Sequence, residues 1–125
     1  MTTTPDSAWR STKGLHYEQL ALAWLHDKGL RLVQQNYRCP LGEIDLIMRD
    51  GAVLVFVEVR FRADSSHGAA YETVDLRKQR KLRRSAQHFL LCKKQFQNLP
   101  CRFDILGISK PNAQTQMHWL QDAFQ

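Results

Sequence analysis

The strongest pattern in the sequence is a pair of hydrophobic runs, at 42–49 and 52–60, joined by the dipeptide Asp50-Gly51. An Asp-Gly pair between two apolar runs favours a two-residue hairpin turn, because both residues tolerate a positive φ. Apolar side chains fall on both faces of each run, which is typical of strands that are buried on both sides. The pattern therefore predicts a hairpin at the centre of a covered sheet.

Acidic residues interrupt this predicted hairpin. With the Asp-Gly pair as the loop, we expect Asp45 to lie opposite Phe56 and diagonally across from Glu58, with both carboxylates on one face. Arg60 projects from that same face. Neighbouring carboxylates among apolar side chains repel one another and are poorly solvated unless a cation neutralises them. A divalent metal, a structural ion pair with Arg60 and a solvated strand end all fit this pattern, so the alternatives stay open here.

Apolar residues at helical spacing occur on either side of the hairpin. The predicted elements are helices at about 14–28 and 75–97, strands at 30–37, 101–108 and 117–120, and a mobile polar loop at 62–72. Glu18 lies at the border of the apolar stripe of the first helix. The second helix begins at Thr73 or Asp75, and Gln79 falls on its apolar stripe. Together these elements predict an α/β domain.

Length and composition limit the possible classes of protein. At 125 residues the chain suits one domain, which we place at 13–125, after a polar and flexible N-terminal arm at 1–12. No apolar run reaches the ~20 residues of a membrane span and no secretory signal is visible, so we expect a cytoplasmic protein without a membrane partner. The three cysteines form no Cys-x-x-Cys pair and the five histidines show no ligand spacing, which argues against a disulfide framework or a zinc site.

A run of basic residues opens the second predicted helix. Six of the eight residues from 77 to 84 are basic: Arg77, Lys78, Arg80, Lys81, Arg83 and Arg84. The helix dipole disfavours cations at this end, so helix stability does not explain them. The whole chain has a formal net charge of +6, and a run of one sign favours a phosphate-binding surface over a merely solvated face. Overall charge alone does not separate DNA, RNA and a membrane surface.

Carboxylates on a hairpin beside a basic helix suit phosphodiester hydrolysis. That reaction needs a hydroxide near neutral pH and positive charge beside the transition state, and a divalent metal supplies both. We expect Asp45 and Glu58 to hold Mg²⁺ or Mn²⁺, because these ions prefer carboxylate oxygen. The carbonyl of Val59 and the carboxylate of Glu18 are further candidate ligands. Arg60 would place a positive charge beside the scissile phosphate.

Five motifs in order carry a resemblance over nearly the whole chain: Gly14-x-x-x-Glu18, Gly42-Glu43-Ile44-Asp45-Leu46-Ile47, Phe56-Val57-Glu58-Val59-Arg60-x-Arg62, Lys78-Gln79-x-Lys81-Leu82 and Cys101-Arg102-Phe103-Asp104. Their order and intervals resemble the bacterial YraN family. That family is similar, more distantly, to the archaeal Holliday junction resolvases and the PD-(D/E)xK nucleases. The resemblance implies a restriction endonuclease-like core, with a central mixed β-sheet flanked by α-helices.

The resemblance also assigns roles to single residues. It places Glu18, Asp45 and Glu58 on acidic metal-site positions, Arg60 on the position of a motif lysine, and Gln79 on a helix glutamine near the active site. Arginine does not readily lose its proton, so Arg60 can support a transition state electrostatically but cannot act as a general base. The resolvases act as homodimers, and the resemblance implies the same for this chain.

These observations predict a metal-dependent DNA endonuclease, and the resemblance extends the expected substrates to branched or distorted DNA. One alternative is a non-catalytic nucleic-acid-binding protein that retains the nuclease fold. A structural or ribosome-associated basic protein is a third, and it leaves the acidic positions without a role. Arg62 joins the basic residues expected to bind nucleic acid, and Asp104, inside an apolar strand, is predicted to form a buried ion pair.

Overall fold

The computed structural model describes residues 14–62, 74–110 and 114–125 of the chain. In these ranges the elements are α1 (Leu15–Asp27), β1 (Arg31–Cys39), β2 (Gly42–Asp50), β3 (Val53–Arg62), α2 (Leu76–Cys92), a 3₁₀ helix (Lys94–Phe96), β4 (Cys101–Ser109) and β5 (Gln116–Phe124). The strands form a sheet in the order β1-β2-β3-β4-β5. β3 and β4 are parallel and the other neighbours antiparallel, so the predicted α/β class with a mixed sheet is confirmed.

Helices cover both faces of the sheet. On one face, α1 contributes Ala21 and Leu25 to a buried cluster with apolar residues of β2, β3 and β4. On the other face, α2 contributes Leu82, Ala86 and Phe89 to a second buried cluster. The hairpin strands β2 and β3 lie between these clusters, so their two-sided burial is confirmed. A polar side chain in the middle of either strand must therefore find its partners inside the protein.

The hairpin turn lies one residue later than the sequence predicts. Asp50 stays in the strand and pairs with Val53, so the loop is Gly51-Ala52 rather than Asp50-Gly51. One physical reason is that the Asp50 carboxylate accepts a hydrogen bond from Arg102 Nη1 on β4, at 3.0 Å. Of the two loop residues, only Gly51 has a positive φ, at 59°.

The new turn changes which residues face each other. Phe56 pairs with Ile47, so the prediction that Phe56 lies opposite Asp45 is wrong. Leu46 pairs with Val57, and the same register continued by one residue places Asp45 directly opposite Glu58. Moving the turn by one residue moves the partner of each β2 residue by two positions along β3. A shift of two positions keeps every side chain on its face, so the prediction that the two carboxylates share a face is unaffected.

Two other boundaries differ from the predicted ones. α2 begins as expected, with the Asp75 side chain accepting the Lys78 N–H at 2.9 Å, but it ends at Cys92 instead of near Gln97. The chain turns there because Phe96 folds back and stacks on Phe89, with ring centroids 5.7 Å apart. β5 is longer than the predicted 117–120. Of the predicted loop at 62–72, Arg62 is the last residue of β3. The rest of that loop and the predicted N-terminal arm at 1–12 lie outside the described residues.

The far end of the sheet is fastened by Asp104. Its buried carboxylate accepts hydrogen bonds from Arg102 Nε at 3.0 Å, Trp119 Nε1 at 2.9 Å and the backbone N–H of Asp122 at 2.9 Å. The predicted buried ion pair of Asp104 is therefore confirmed. Because its donors lie on β4 and β5, Asp104 joins the two strands.

None of the helices in the described ranges is both long and apolar enough to cross a membrane.

Candidate active site

Asp45 and Glu58 form a buried carboxylate pair on neighbouring strands. Their residues are only 5% and 4% exposed. Asp45 Oδ2 accepts a hydrogen bond from the backbone N–H of Val59 at 2.9 Å, which places the Asp45 carboxylate beside the main chain next to Glu58. The two carboxyl groups are close enough for Asp45 to raise the pKa of Glu58. The structure thus brings together the two acidic residues that the sequence placed on one face.

Basic groups from two different elements reach the same carboxylate oxygen. Arg60 Nη2 on β3 and Lys78 Nζ on α2 each lie 3.3 Å from Glu58 Oε2. The Arg60 and Lys78 side chains are 30% and 33% exposed, so both lie at the mouth of the site. The arrangement is a recessed acidic pair below two cations that also face solvent.

A glycine permits the helix that carries Lys78 to approach the sheet. Gly42, the first residue of β2, has φ of 148°, and a Cβ at this position would lie 2.9 Å from Ser85 Oγ on α2. Ser85 is fully buried, so its hydroxyl has little room to withdraw. The absence of a side chain at Gly42 therefore allows α2 to pack closely on β2 at this point.

Burial and the neighbouring Asp45 raise the pKa of Glu58 to about 8, although Lys78 and Arg60 act in the opposite direction. Desolvation is the larger cause, since an ionised carboxylate is poorly stabilised in an apolar interior. At neutral pH Glu58 therefore retains its proton. A divalent cation in place of that proton would let both carboxylates ionise.

The raised pKa predicts how stability depends on pH. The folded-state pKa of Glu58 lies above its unfolded value of 4.5. The stabilisation of the folded state by the Glu58 proton is therefore fully present below pH 4.5 and is lost as pH rises through 8. We expect the free energy of unfolding of the metal-free protein to fall by a few kcal/mol across this range. Urea unfolding at pH 5, 6.5 and 8 in EDTA measures this change. The Glu58→Gln variant is the control, and an equal fall in that variant would assign the pH dependence to other groups.

Glu18 and Gln79 are placed differently from the carboxylate pair. Glu18 is buried on α1, but within the described part of the chain no three Asp, Glu, His or Cys residues form a group able to hold a metal. Glu18 therefore does not complete a three-carboxylate cluster in this conformation. The side chain of Gln79 donates from Nε2 to the Val74 carbonyl at 3.1 Å, and so holds the segment that enters α2. Their predicted roles in metal binding and catalysis stay predictions.

The basic run of α2 divides into groups with different surroundings. Its exposed members are Arg77, Arg80, Lys81 and Arg84. Lys78 points to Glu58, and Arg83 donates from Nη1 to the main-chain oxygen of Gln125 at 2.8 Å. Helical spacing turns successive residues to different sides, which explains this division. The side chain of Arg62, at the end of β3, lies outside the described part.

Sequence reasoning assigned Lys78 to a phosphate surface and missed its contact with Glu58. The residue stands in a run of similar basic residues, and the motif Lys78-Gln79-x-Lys81-Leu82 gives it no role of its own. Its contact depends on how α2 docks on the sheet, which is a tertiary property. A weak signal existed in Asp75, because a cap at that residue starts the helix and fixes the direction of its first turn.

Fold and site together define a class: an α/β protein with a mixed sheet between helices and a buried acidic pair beneath a basic helix. The particular family follows from sequence comparison. The model of the uncharacterised protein family UPF0102 matches residues 17–108, and the chain belongs to this family. It is the YraN family, so the resemblance deduced from the motifs is confirmed.

Similar relatives span almost the same length. A UPF0102 protein of Stutzerimonas stutzeri is 45% identical, over 91% of this chain and 95% of its own. One of Nitrosococcus oceani is 48% identical over 90% of this chain and 91% of its own. One of Pseudomonas syringae is 46% identical, over 92% and 94% respectively. The similarity therefore covers the domain as a whole rather than one motif.

Proposed function

We propose that this protein is a metal-dependent endonuclease that hydrolyses phosphodiester bonds in DNA. The observation that carries the proposal is the buried pair of Asp45 and Glu58, beneath two basic side chains. Paired carboxylates that retain a proton at neutral pH are unfavourable for stability alone, and such pairs occur preferentially at functional sites.

The chemistry of the donor set fits Mg²⁺ or Mn²⁺. The side chains of Asp45 and Glu58 offer hard oxygen ligands, and the backbone carbonyl of Val59 is a third candidate ligand next to Glu58. Glu18 is proposed to contribute directly or through water. When bound, the ion would supply a hydroxide near neutral pH and a Lewis acid for the phosphate.

The protein's own residues have separable roles in this proposal. Arg60 keeps its positive charge at any working pH and stands at the mouth of the site, where it can stabilise charge that develops on the phosphate. Lys78 Nζ lies 3.3 Å from Glu58 Oε2 in the metal-free protein. Once Glu58 is engaged by a metal ion, the Lys78 ammonium is available to the substrate. Neither role requires an arginine to lose a proton.

Other features support the substrate and the fold assigned here. A mixed sheet with helices on both faces supports a restriction endonuclease-like core. The exposed basic residues of α2 support a polyanionic partner. DNA, rather than RNA, and a homodimer are proposed on the resemblance to resolvases. Sedimentation of the purified protein with and without DNA tests the dimer.

A second candidate function is nucleic-acid binding without catalysis. The contacts of Glu58 with Arg60 and Lys78 favour it, because they partly neutralise the site in the absence of a metal. In this case the carboxylates would serve the fold and the basic helix would bind phosphates. The endonuclease should cleave nucleic acid, whereas the binding protein should bind it without cleavage.

A cleavage assay separates the two functions. Labelled duplex, single-stranded, flapped and four-way-junction DNA, with RNA of matched sequence, would be incubated with Mg²⁺ or Mn²⁺. Cleavage that disappears with chelator and in the Asp45→Asn variant supports the endonuclease. Binding without cleavage of any substrate in either metal would contradict the endonuclease and favour the binding protein.

The exposed face of α2 is expected to contact phosphates. Replacing Arg77, Lys81 and Arg84 with Gln should reduce DNA affinity and lower the slope of log K against log salt by about one per lost contact. Fluorescence anisotropy over a salt series measures this slope.

The control removes the same charge from other elements. Lys28, Arg38 and Lys110 are exposed and lie outside α2, so their replacement with Gln matches the change in net charge. Equal slopes for the two triple variants would show that α2 contributes only general charge.

A further inference from the structure

Two arginines face each other across β1 and β2. Arg31 and Arg49 are direct partners in the antiparallel register, so their side chains share a face with Cβ atoms about 5 Å apart. Like charges directly opposite one another destabilise a sheet. Within 14–62, 74–110 and 114–125, neither guanidinium has an acidic partner that would offset this repulsion.

Nearby basic residues of the sheet are paired, which makes these two exceptional. Asp50 follows Arg49 in the chain, but its carboxylate is bound to Arg102 Nη1 at 3.0 Å. Arg38, on the same strand as Arg31, lies 3.4 Å from Glu43 Oε2. The strand register therefore places Arg31 and Arg49 side by side, while the carboxylate of Asp50, next to Arg49 in the chain, is bound to Arg102.

Both arginines line an open hollow of about 550 Å³. Its apolar lining includes Val33 and Phe96, which pack against the α2-side cluster, and Gly51 of the hairpin loop also lines it. β1 has a register shift between Leu32 and Gln34, which makes Val33 the bulged residue. Bulges redirect side chains and occur preferentially beside functional sites.

We propose that this Arg31–Arg49 hollow binds a phosphate group. Two guanidinium groups present planar, forked donors that match phosphate oxygens, and the doubled charge suits a dianion better than a single carboxylate. A bound phosphate would also remove the repulsion between the arginines. The phosphate belongs either to a nucleic-acid backbone or to a small phosphorylated molecule.

The hollow is separate from the carboxylate pair. Leu54, the β3 partner of Arg49, precedes Glu58 by four residues, which corresponds to roughly 13 Å along an extended strand. Phosphate binding here does not require a metal at Asp45 or turnover of any substrate. The Arg31–Arg49 hollow can therefore bind phosphate whether or not the protein is an endonuclease.

Thermal melting with inorganic phosphate tests the site. The parent should gain melting temperature with phosphate beyond the gain from sodium chloride at equal ionic strength. In Arg31→Gln and in Arg49→Gln the phosphate-specific rise in melting temperature should be smaller than in the parent. The decrease should correspond to a phosphate affinity at least about tenfold weaker than the parent's. Arg38→Gln is the matched control and should keep the gain. An identical effect of phosphate and chloride on the parent, or an undiminished gain in both pocket variants, would overturn the proposal.

A folding defect in the pocket variants would be visible in the same experiment. Without phosphate, removal of one arginine relieves repulsion, so each variant should melt at or above the parent's temperature at low salt. A variant that melts far lower would contradict this account of the pair.

Binding to duplex DNA identifies the source of the phosphate. If the source is a nucleic-acid backbone, the Arg31→Gln/Arg49→Gln double variant should lose about two from the log–log salt slope. The Lys28→Gln/Arg38→Gln variant controls for charge. An unchanged slope together with loss of the phosphate-specific gain assigns the site to a small phosphorylated molecule.

Discussion

Asp45→Asn and Glu58→Gln should each abolish metal-dependent cleavage, by about 10³-fold or more, while the protein remains folded. Each change removes one hard oxygen ligand from the buried pair. Each also removes the charge repulsion between Asp45 and Glu58, so the free energy of unfolding at pH 8 should equal or exceed that of the parent. Single-turnover cleavage, Mn²⁺ calorimetry and urea unfolding measure these three effects.

Glu43→Gln supplies the control for these variants. Glu43 is a half-buried acidic residue on the same strand, paired with Arg38 at 3.4 Å. Its replacement should leave Mn²⁺ affinity close to the parent's. Unchanged Mn²⁺ affinity in both Asp45→Asn and Glu58→Gln would rule out the metal site, whatever happens to cleavage.

Arg60→Gln should slow the chemical step by about 10²-fold or more at saturating metal, the scale of removing one transition-state contact. Arg60→Lys should retain much of the rate, because an ammonium at this position also carries a positive charge. The guanidinium stands 3.3 Å from Glu58 Oε2 at the mouth of the site, where it can reach a phosphate. Single-turnover rates for both variants, measured beside thermal melts, provide the comparison.

A structural role for Arg60 leads to different results. If Arg60 only neutralises Glu58, then Arg60→Gln would change metal affinity or stability and leave the saturated rate unchanged. Arg38→Gln, a more exposed arginine that pairs with a different carboxylate, controls for loss of charge. A parent-like rate in Arg60→Gln would remove this residue from the mechanism.

The central part of the candidate site was predictable from sequence because it depends on a period of two. Side chains alternate along a strand, so any even shift of register keeps Asp45 and Glu58 on one face. The apolar residues on both faces of the hairpin likewise indicated burial, and Asp75 marked the start of α2 through its side-chain cap. These features are local, and local preferences agree with the final fold.

The remaining features depend on contacts distant in sequence. The turn was misplaced because Asp50 is bound to Arg102, 52 residues away. α2 ends early because an aromatic ring after the helix stacks back on Phe89. Lys78 reaches Glu58 only through the docking of a helix on a sheet. A pattern of residues along one segment carries no information about such partners.

The hydrogen bond from the Val59 amide to the Asp45 side chain gives the site an internal spectroscopic reporter. In a regular β-ladder a backbone amide donates to a main-chain carbonyl. The Val59 amide donates instead to a side-chain oxygen, and the charge of that oxygen depends on what the carboxylate binds. The proton chemical shift and exchange rate of this one amide should therefore respond to whatever occupies the carboxylate pair. Ion occupancy can thus be followed by NMR in the intact protein, without a substrate and without labelling the carboxylates.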